Sequence, residues 1–101
     1  MNSENNKEIP KQFELFQNYP NPFNPTTKIK FNIPNVSRES SVVRVVVYDI
    51  LGNEVTTLIH ERLQPGTYEM EWDGSNYASG VYFYKLIAGD FMETKKMILM
   101  K

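Results

Sequence analysis

Apolar and polar residues alternate along several short stretches of the chain, which is the pattern of a β-strand with one buried face. The alternation is clearest at 28–33, 43–48 and 68–72. Further strands are predicted at 13–19, 55–59, 81–88 and 91–100. Helical spacing is confined to 60–63, where Pro65 would end any helix. About seven short strands at this spacing predict an all-β fold, an immunoglobulin-like antiparallel β-sandwich.

Turn-forming residues separate the predicted strands. They occur at 65–66, 73–74 and 89–90, and Gly52 or Asn53 can supply the positive φ of a turn at 51–53. Asp49, Asp73 and Asp90 accompany these turns, and their carboxylates are expected to accept hydrogen bonds from the turn backbone. A calcium site built from such loop carboxylates is the alternative, although the spacing matches no EF-hand loop.

A proline-rich segment precedes the strand at 28–33. Pro20, Pro22 and Pro25 lack the backbone donor that a central strand needs, so an ordered crossing loop is predicted here, with Phe23 tucked inward. Three amide side chains interleave with these prolines: Asn18, Asn21 and Asn24. Because amides between prolines readily bond the backbone, we expect them to cap backbone groups rather than bind sugar.

The predicted core consists of the inward positions of the strands together with the single tryptophan. These residues are Leu15, Ile29, Phe31, Val43, Val45, Val47, Val55, Leu58, Tyr68, Trp72, Tyr82, Tyr84, Leu86, Met97 and Leu99. The chain has no cysteine, which excludes disulfides and thiolate-bound metals. Stability must therefore come from this core and from backbone hydrogen bonds.

Length and charge narrow the classes of function. With 101 residues the chain suits one domain, and its net charge of -1 provides no basic face for nucleic acid. No stretch approaches the roughly 18 apolar residues of a membrane helix. Residues 1–12 are polar and contain no apolar centre of a signal peptide, so we expect a linker at 1–12 and the domain at 13–101.

Residues suited to catalysis are scarce in this sequence. His60 is the only histidine, so neither a histidine metal pair nor a Ser-His-Asp arrangement is suggested, and we expect a solvated loop residue. Tyr48 and Tyr77 could form a carbohydrate platform, but two rings are weak evidence. The expectation is a protein that is not an enzyme and that needs no metal or cofactor.

Several segments together resemble one known family, the type A C-terminal sorting domain of the type IX (Por) secretion system of Bacteroidetes and related bacteria. The chain is also similar to the immunoglobulin-like domain of flagellar hook-cap proteins. The segments are 13–29 (FELFQNYPNPFNPTTKI), 47–55 (VYDILGNEV), 65–68 (PGTY), 72–74 (WDG), 78–86 (ASGVYFYKL) and 96–101 (KMILMK). The resemblance covers 13–101, nearly everything but the predicted linker.

The resemblance implies a function in protein transport. Such domains follow a cargo protein and direct it through the periplasm and across the outer membrane. They are usually cleaved while the cargo is attached to the cell surface or released. The implied partners are therefore an N-terminally fused cargo domain, the outer-membrane translocon and sortase-like components. We accordingly expect a cargo domain before residue 1.

In the family that the chain resembles, the terminal strand carries the recognised motif, which here is 96–101. The candidate element is the terminal strand: Lys95, Lys96, Met97, Ile98, Leu99, Met100 and Lys101. The candidate family-motif loop is Asn18, Pro20, Asn21, Pro22, Phe23, Asn24 and Pro25. We expect Met97 and Leu99 to anchor inward and the lysines to stay solvated. The strand edge would then offer backbone groups for strand addition to a receptor.

Two alternatives remain at this point. The lysines of the terminal strand could serve only to protect a sheet edge from aggregation. The whole domain could instead be a structural or adhesive immunoglobulin-like spacer, or a carbohydrate-binding module, of a secreted protein.

Overall fold

Seven strands form two antiparallel sheets in the computed structural model, which describes residues 9–35 and 42–101. The strands are β1 (Glu14–Leu15), β2 (Thr26–Ile33), β3 (Val42–Tyr48), β4 (Glu54–Arg62), β5 (Gly66–Asp73), β6 (Gly80–Ala88) and β7 (Phe91–Leu99). One sheet has the order β1-β2-β5 and the other the order β4-β3-β6-β7. The predicted immunoglobulin-like sandwich is confirmed. Most of the predicted linker, at 1–8, lies outside the described residues.

Two predicted elements differ from the structure. The first strand was predicted over 13–19, but the regular strand contains only Glu14–Leu15. The chain still pairs with β2 at Phe16 and Tyr19, and the ladder is interrupted between them, where the Asn18 amide bonds the Tyr84 hydroxyl instead. The strand predicted over 55–59 is longer in the structure, since β4 spans Glu54–Arg62 and its end pairs with the start of β3. His60 is therefore an exposed strand residue rather than a loop residue.

The core lies between the two sheets and contains most of the predicted inward set. Val55, Leu58 and Tyr68 are only half-buried, because β4 and β5 are the outermost strands on one side of the sandwich. Phe23 is buried as predicted. The prediction missed three buried hydrophobic residues: Ile33, Val46 and Ala88. Val46 occupies the outer face of its sheet, where its cross-strand neighbours are Thr57 and Lys85.

The two ends of the sandwich have different contents. At one end, called the entry end because β1 begins there, the Phe13 ring stacks on Phe91 with centroids 4.9 Å apart, next to the turn at 89–90. The opposite end, where β7 ends, is called the exit end. At the exit end lie the turn at 49–53, the loop at 74–79 and the C-terminal residues 100–101. This assignment follows from the strand registers, since each of these segments continues the same end of its strand.

Candidate functional site: the terminal strand and the loop bound along its edge

The inner face of β7 carries both apolar anchors and charge. Met97 and Leu99 are completely buried, as predicted. Lys95 differs from the expectation of a solvated lysine, because it alternates onto the same face as Met97 and is half-buried. Its Nζ lies 3.4 Å from a carboxylate oxygen of Glu93. Inward-facing charges near a sheet margin discourage pairing with another chain.

The outer edge of β7 is not open between Lys96 and Met100. The Phe23 amide donates to the Ile98 carbonyl at 2.9 Å, and the Met100 amide donates to the Phe23 carbonyl at 2.9 Å. Two side chains extend this pairing: Gln17 Nε2 donates to the Lys96 carbonyl at 2.8 Å, and the Ile98 amide donates to Asn21 Oδ1 at 2.9 Å. The expected free edge for strand addition is therefore wrong for this part of β7. Residues 17–23 already occupy the position of a neighbouring strand.

Phe23 also fixes the family-motif loop, residues 18–25, to the core. Its ring centroid lies 5.7 Å from that of Trp72, which also contacts Tyr77 and Tyr82. The loop ends against β5, where the Gly74 amide donates to the Pro25 carbonyl at 2.7 Å. These contacts place the loop between the two sheets at the exit end.

A buried polar network holds the start of the loop. The side chain of Asn18 is 2% exposed and donates to Thr27 Oγ1 at 2.9 Å and to the Pro20 carbonyl at 3.1 Å. The Asn18 amide donates to the Tyr84 hydroxyl at 2.7 Å, and that hydroxyl donates to the Phe16 carbonyl at 2.7 Å. Burial raises the pKa of Tyr84 to about 12. The loop thus depends on a hydroxyl from the centre of the opposite sheet.

The amides of the loop have different roles. Asn18 and Asn21 bond the backbone, as predicted for capping side chains. Asn24 is exposed, and Pro20 and Pro22 are exposed as well. The loop therefore presents two prolines, two amides and the 80% exposed Tyr19 to solvent.

The last residue is bound to the loop at 74–79. The Lys101 amide donates to Ser79 Oγ at 3.1 Å, and Lys101 Nζ donates to the Ser75 carbonyl at 2.6 Å. Hydrogen bonds from the hydroxyl and amide of Ser75 lower the pKa of Asp73, and the nearby charge of Lys101 lowers it further. Both ends of residues 95–101 are therefore held against other parts of the sandwich.

The alternative sites find little support within 9–35 and 42–101. No group of three metal-ligating side chains occurs among these residues. Asp49 and Asp73 instead bind the backbone of their own turns, as predicted. Tyr77 packs on Trp72, and Lys85 Nζ lies 5.4 Å from the centroid of the Tyr48 ring. Both tyrosines are half-buried.

Sequence reasoning missed two residues of this site. The alternation pattern places Gln17 in the first strand and the Tyr84 ring in the core, and it predicts no polar contact for either side chain. A short polar stretch before a proline loop gives no signal of a partner 79 positions away in the chain. The one available signal was that a buried tyrosine hydroxyl requires a hydrogen-bond partner.

Comparison with known families gives one result. A family model described as "Secretion system C-terminal sorting domain" matches residues 17–100, which include both the loop and nearly all of the terminal strand. The comparison with curated proteins finds no match. None of the described residues forms a helix that is long and apolar enough to cross a membrane.

Proposed function

Because the chain belongs to the family of secretion-system C-terminal sorting domains, it is a C-terminal signal of type IX secretion, and we propose that residues 95–101 are the element recognised. Membership in this family supports the assignment of the transport function, which is to direct a fused cargo protein across the outer membrane. The proposal for the element rests on one observation. Residues 95–101 are held in place along their length while the side chains of Lys96, Met100 and Lys101 remain exposed.

Recognition then depends on side chains rather than on a free strand edge. The ladder with β6 holds one side of β7, and residues 17–23 hold the other from Lys96 to Met100. A receptor that contacts this region meets a preformed surface, so it loses little free energy in ordering the signal. The family-motif loop supports the surface from behind, through Phe23 and Asn21.

The wider proposal concerns the protein that contains this domain. Residues 13–101 form the sorting domain and 1–12 link it to the cargo. The cargo passes through the periplasm and the outer membrane to the cell surface or the medium. Outer-membrane translocon and sortase-like components are the partners. The domain itself has no catalytic role and requires no metal or cofactor.

A reporter fusion tests the recognised element. Residues 1–101 follow a fluorescent protein with an inner-membrane export signal, in a host with the type IX apparatus. One variant carries Lys96→Ala with Lys101→Ala, and another extends the chain by a dozen residues after Lys101. The matched control carries Lys28→Ala with Lys30→Ala, which removes two exposed lysines from the other sheet.

The proposal expects both terminal variants to stay folded yet leave the reporter in the periplasm, while the intact fusion and the control reach the surface. Circular dichroism and the thermal midpoint of each purified chain establish folding. Undiminished surface delivery of both terminal variants would place the signal elsewhere. The lysines would then serve only to protect the sheet edge.

A further inference from the structure

The turn between β3 and β4 presents two large apolar side chains to solvent. Ile50 is 67% exposed and Leu51 is 82% exposed. The turn that carries them is well ordered by hydrogen bonds. Asp49 Oδ1 accepts the amides of Leu51 and Asn53, each at 2.9 Å, and the Gly52 amide donates to the Asp49 carbonyl at 3.0 Å. The two side chains are therefore displayed on a rigid support.

Apolar residues at these positions have no evident role in folding. The tip of a tight turn normally carries Gly, Asn, Asp, Ser or Pro, which suit its backbone. Ile50 and Leu51 lie outside the core cluster and gain no burial there. A position that breaks a local rule without a compensating contact is often a functional one. Exposed adjacent apolar side chains are also a frequent feature of binding sites.

The turn between β3 and β4 and the C-terminal end of the terminal strand both lie at the exit end of the sandwich. Burial raises the pKa of Tyr82, and the negative charge of Asp49 raises it further. The Tyr82 hydroxyl donates to the Ala78 carbonyl at 2.7 Å. Ala78 precedes Ser79, which binds the amide of Lys101. One partner could thus contact the turn and the terminal residues from the same side.

We propose that the apolar tip, Ile50 and Leu51, inserts into an apolar pocket with a cationic rim on a protein component of the export apparatus. The proposal extends the proposed function, because it supplies a second contact for the same recognition event. A few well-packed side chains carry most of the energy of many interfaces, and a rigid turn loses little entropy on binding.

The charges beside the tip favour a protein pocket over a lipid surface. The hydrogen bonds that Asp49 accepts, chiefly the one from the Asn53 amide, lower the pKa of its carboxyl group. This carboxylate is therefore ionised at neutral pH. Glu54 follows the turn and is exposed. These two negative charges would be repelled by an anionic membrane surface. They complement lysine or arginine side chains at the rim of a pocket.

The test uses the full chain fused to the reporter described above. The tip variant carries Ile50→Ser with Leu51→Ser, which suits a turn and should leave the fold intact. The control is Met92→Ser, which removes another apolar side chain, 63% exposed, on β7. A second readout places a photoreactive benzophenone amino acid at position 51, or at position 92 as control, and identifies what it labels. Excess purified intact chain or tip variant serves as competitor.

The proposal expects the folded tip variant to lose surface delivery by at least about tenfold, with Met92→Ser unaffected. It also expects the probe at position 51 to label an outer-membrane protein. Excess intact chain should block this labelling, and excess tip variant should not. Normal delivery of the tip variant, labelling of lipid alone, or equal competition by both chains would overturn it. If the intact fusion itself stays in the periplasm, the proposed function fails, while the competition result still decides whether the tip binds a protein.

Discussion

The Tyr84 hydroxyl accepts the backbone amide of Asn18 at 2.7 Å, although 66 positions separate the two residues in the chain. Tyr84 belongs to β6, at the centre of the four-stranded sheet, and Asn18 begins the family-motif loop. The same loop binds the outer edge of β7. One hydroxyl therefore links the interior of the sandwich to the loop that positions the candidate recognition element.

Tyr84→Phe tests this link directly. The substitution keeps the ring but leaves the buried Asn18 amide and the Phe16 carbonyl without their partner. The expected loss is about 1–3 kcal/mol of unfolding free energy, measured by urea denaturation. Tyr68→Phe is the control, because its hydroxyl donates to Gln64 at an exposed site and its loss should cost less. Equal stability of Tyr84→Phe and the parent would show that the bond contributes nothing.

Alkaline pH should weaken the same contact. Because the pKa of Tyr84 rises to about 12 in the folded state, against about 10 when unfolded, the folded chain retains a proton that the unfolded chain has lost. This contribution is complete below about pH 10 and is lost as the pH rises through about 12. Thermal midpoints should fall more steeply between these values for the parent than for Tyr84→Phe. Parallel curves for the two proteins would contradict the assignment.

Asn21→Ala should open the edge of β7 at one position. The Ile98 amide loses its acceptor, so its hydrogen should exchange faster with solvent, as measured by NMR. The cost in unfolding free energy should stay near 1 kcal/mol, because Asn21 is exposed and water can replace it. Asn24→Ala changes an exposed amide of the same loop and should leave Ile98 exchange unaltered. Unchanged exchange in Asn21→Ala would mean that the amide is protected by other means.

Gly74→Ala should destabilise the packing between Gly74 and the end of the family-motif loop at Pro25. A Cβ at this position would lie 3.0 Å from Leu99 Cδ2 and 3.4 Å from the Pro25 carbonyl oxygen. Displacing these groups should cost about 1–3 kcal/mol in chemical denaturation. Asn76→Ala, at an exposed position of the same loop, should cost little. If the two variants are equally stable, Leu99 has room to move.

The sequence predicted the parts of this fold that follow from local alternation. β2 and β3 were assigned from the period of two in their apolar residues, and Met97 and Leu99 were correctly placed inward. Local patterns could not reveal that the regular part of β1 has only two residues, because the ladder with β2 is interrupted where the Asn18 amide bonds the distant Tyr84 hydroxyl. They also could not reveal that residues 17–23 bind along β7. That contact uses single backbone groups and two polar side chains, which leave no period in the sequence.

The parallel course of residues 17–23 and β7 has a mechanical consequence. The Phe23–Leu99 bridge is parallel, and both segments run from the entry end to the exit end. Tension applied between residue 9 and residue 101 would pull the two segments in opposite directions. The hydrogen bonds of Gln17, Asn21 and Phe23 would then share the load in shear instead of parting one after another. The domain is thus arranged to resist stretching along the direction in which an attached protein would pull.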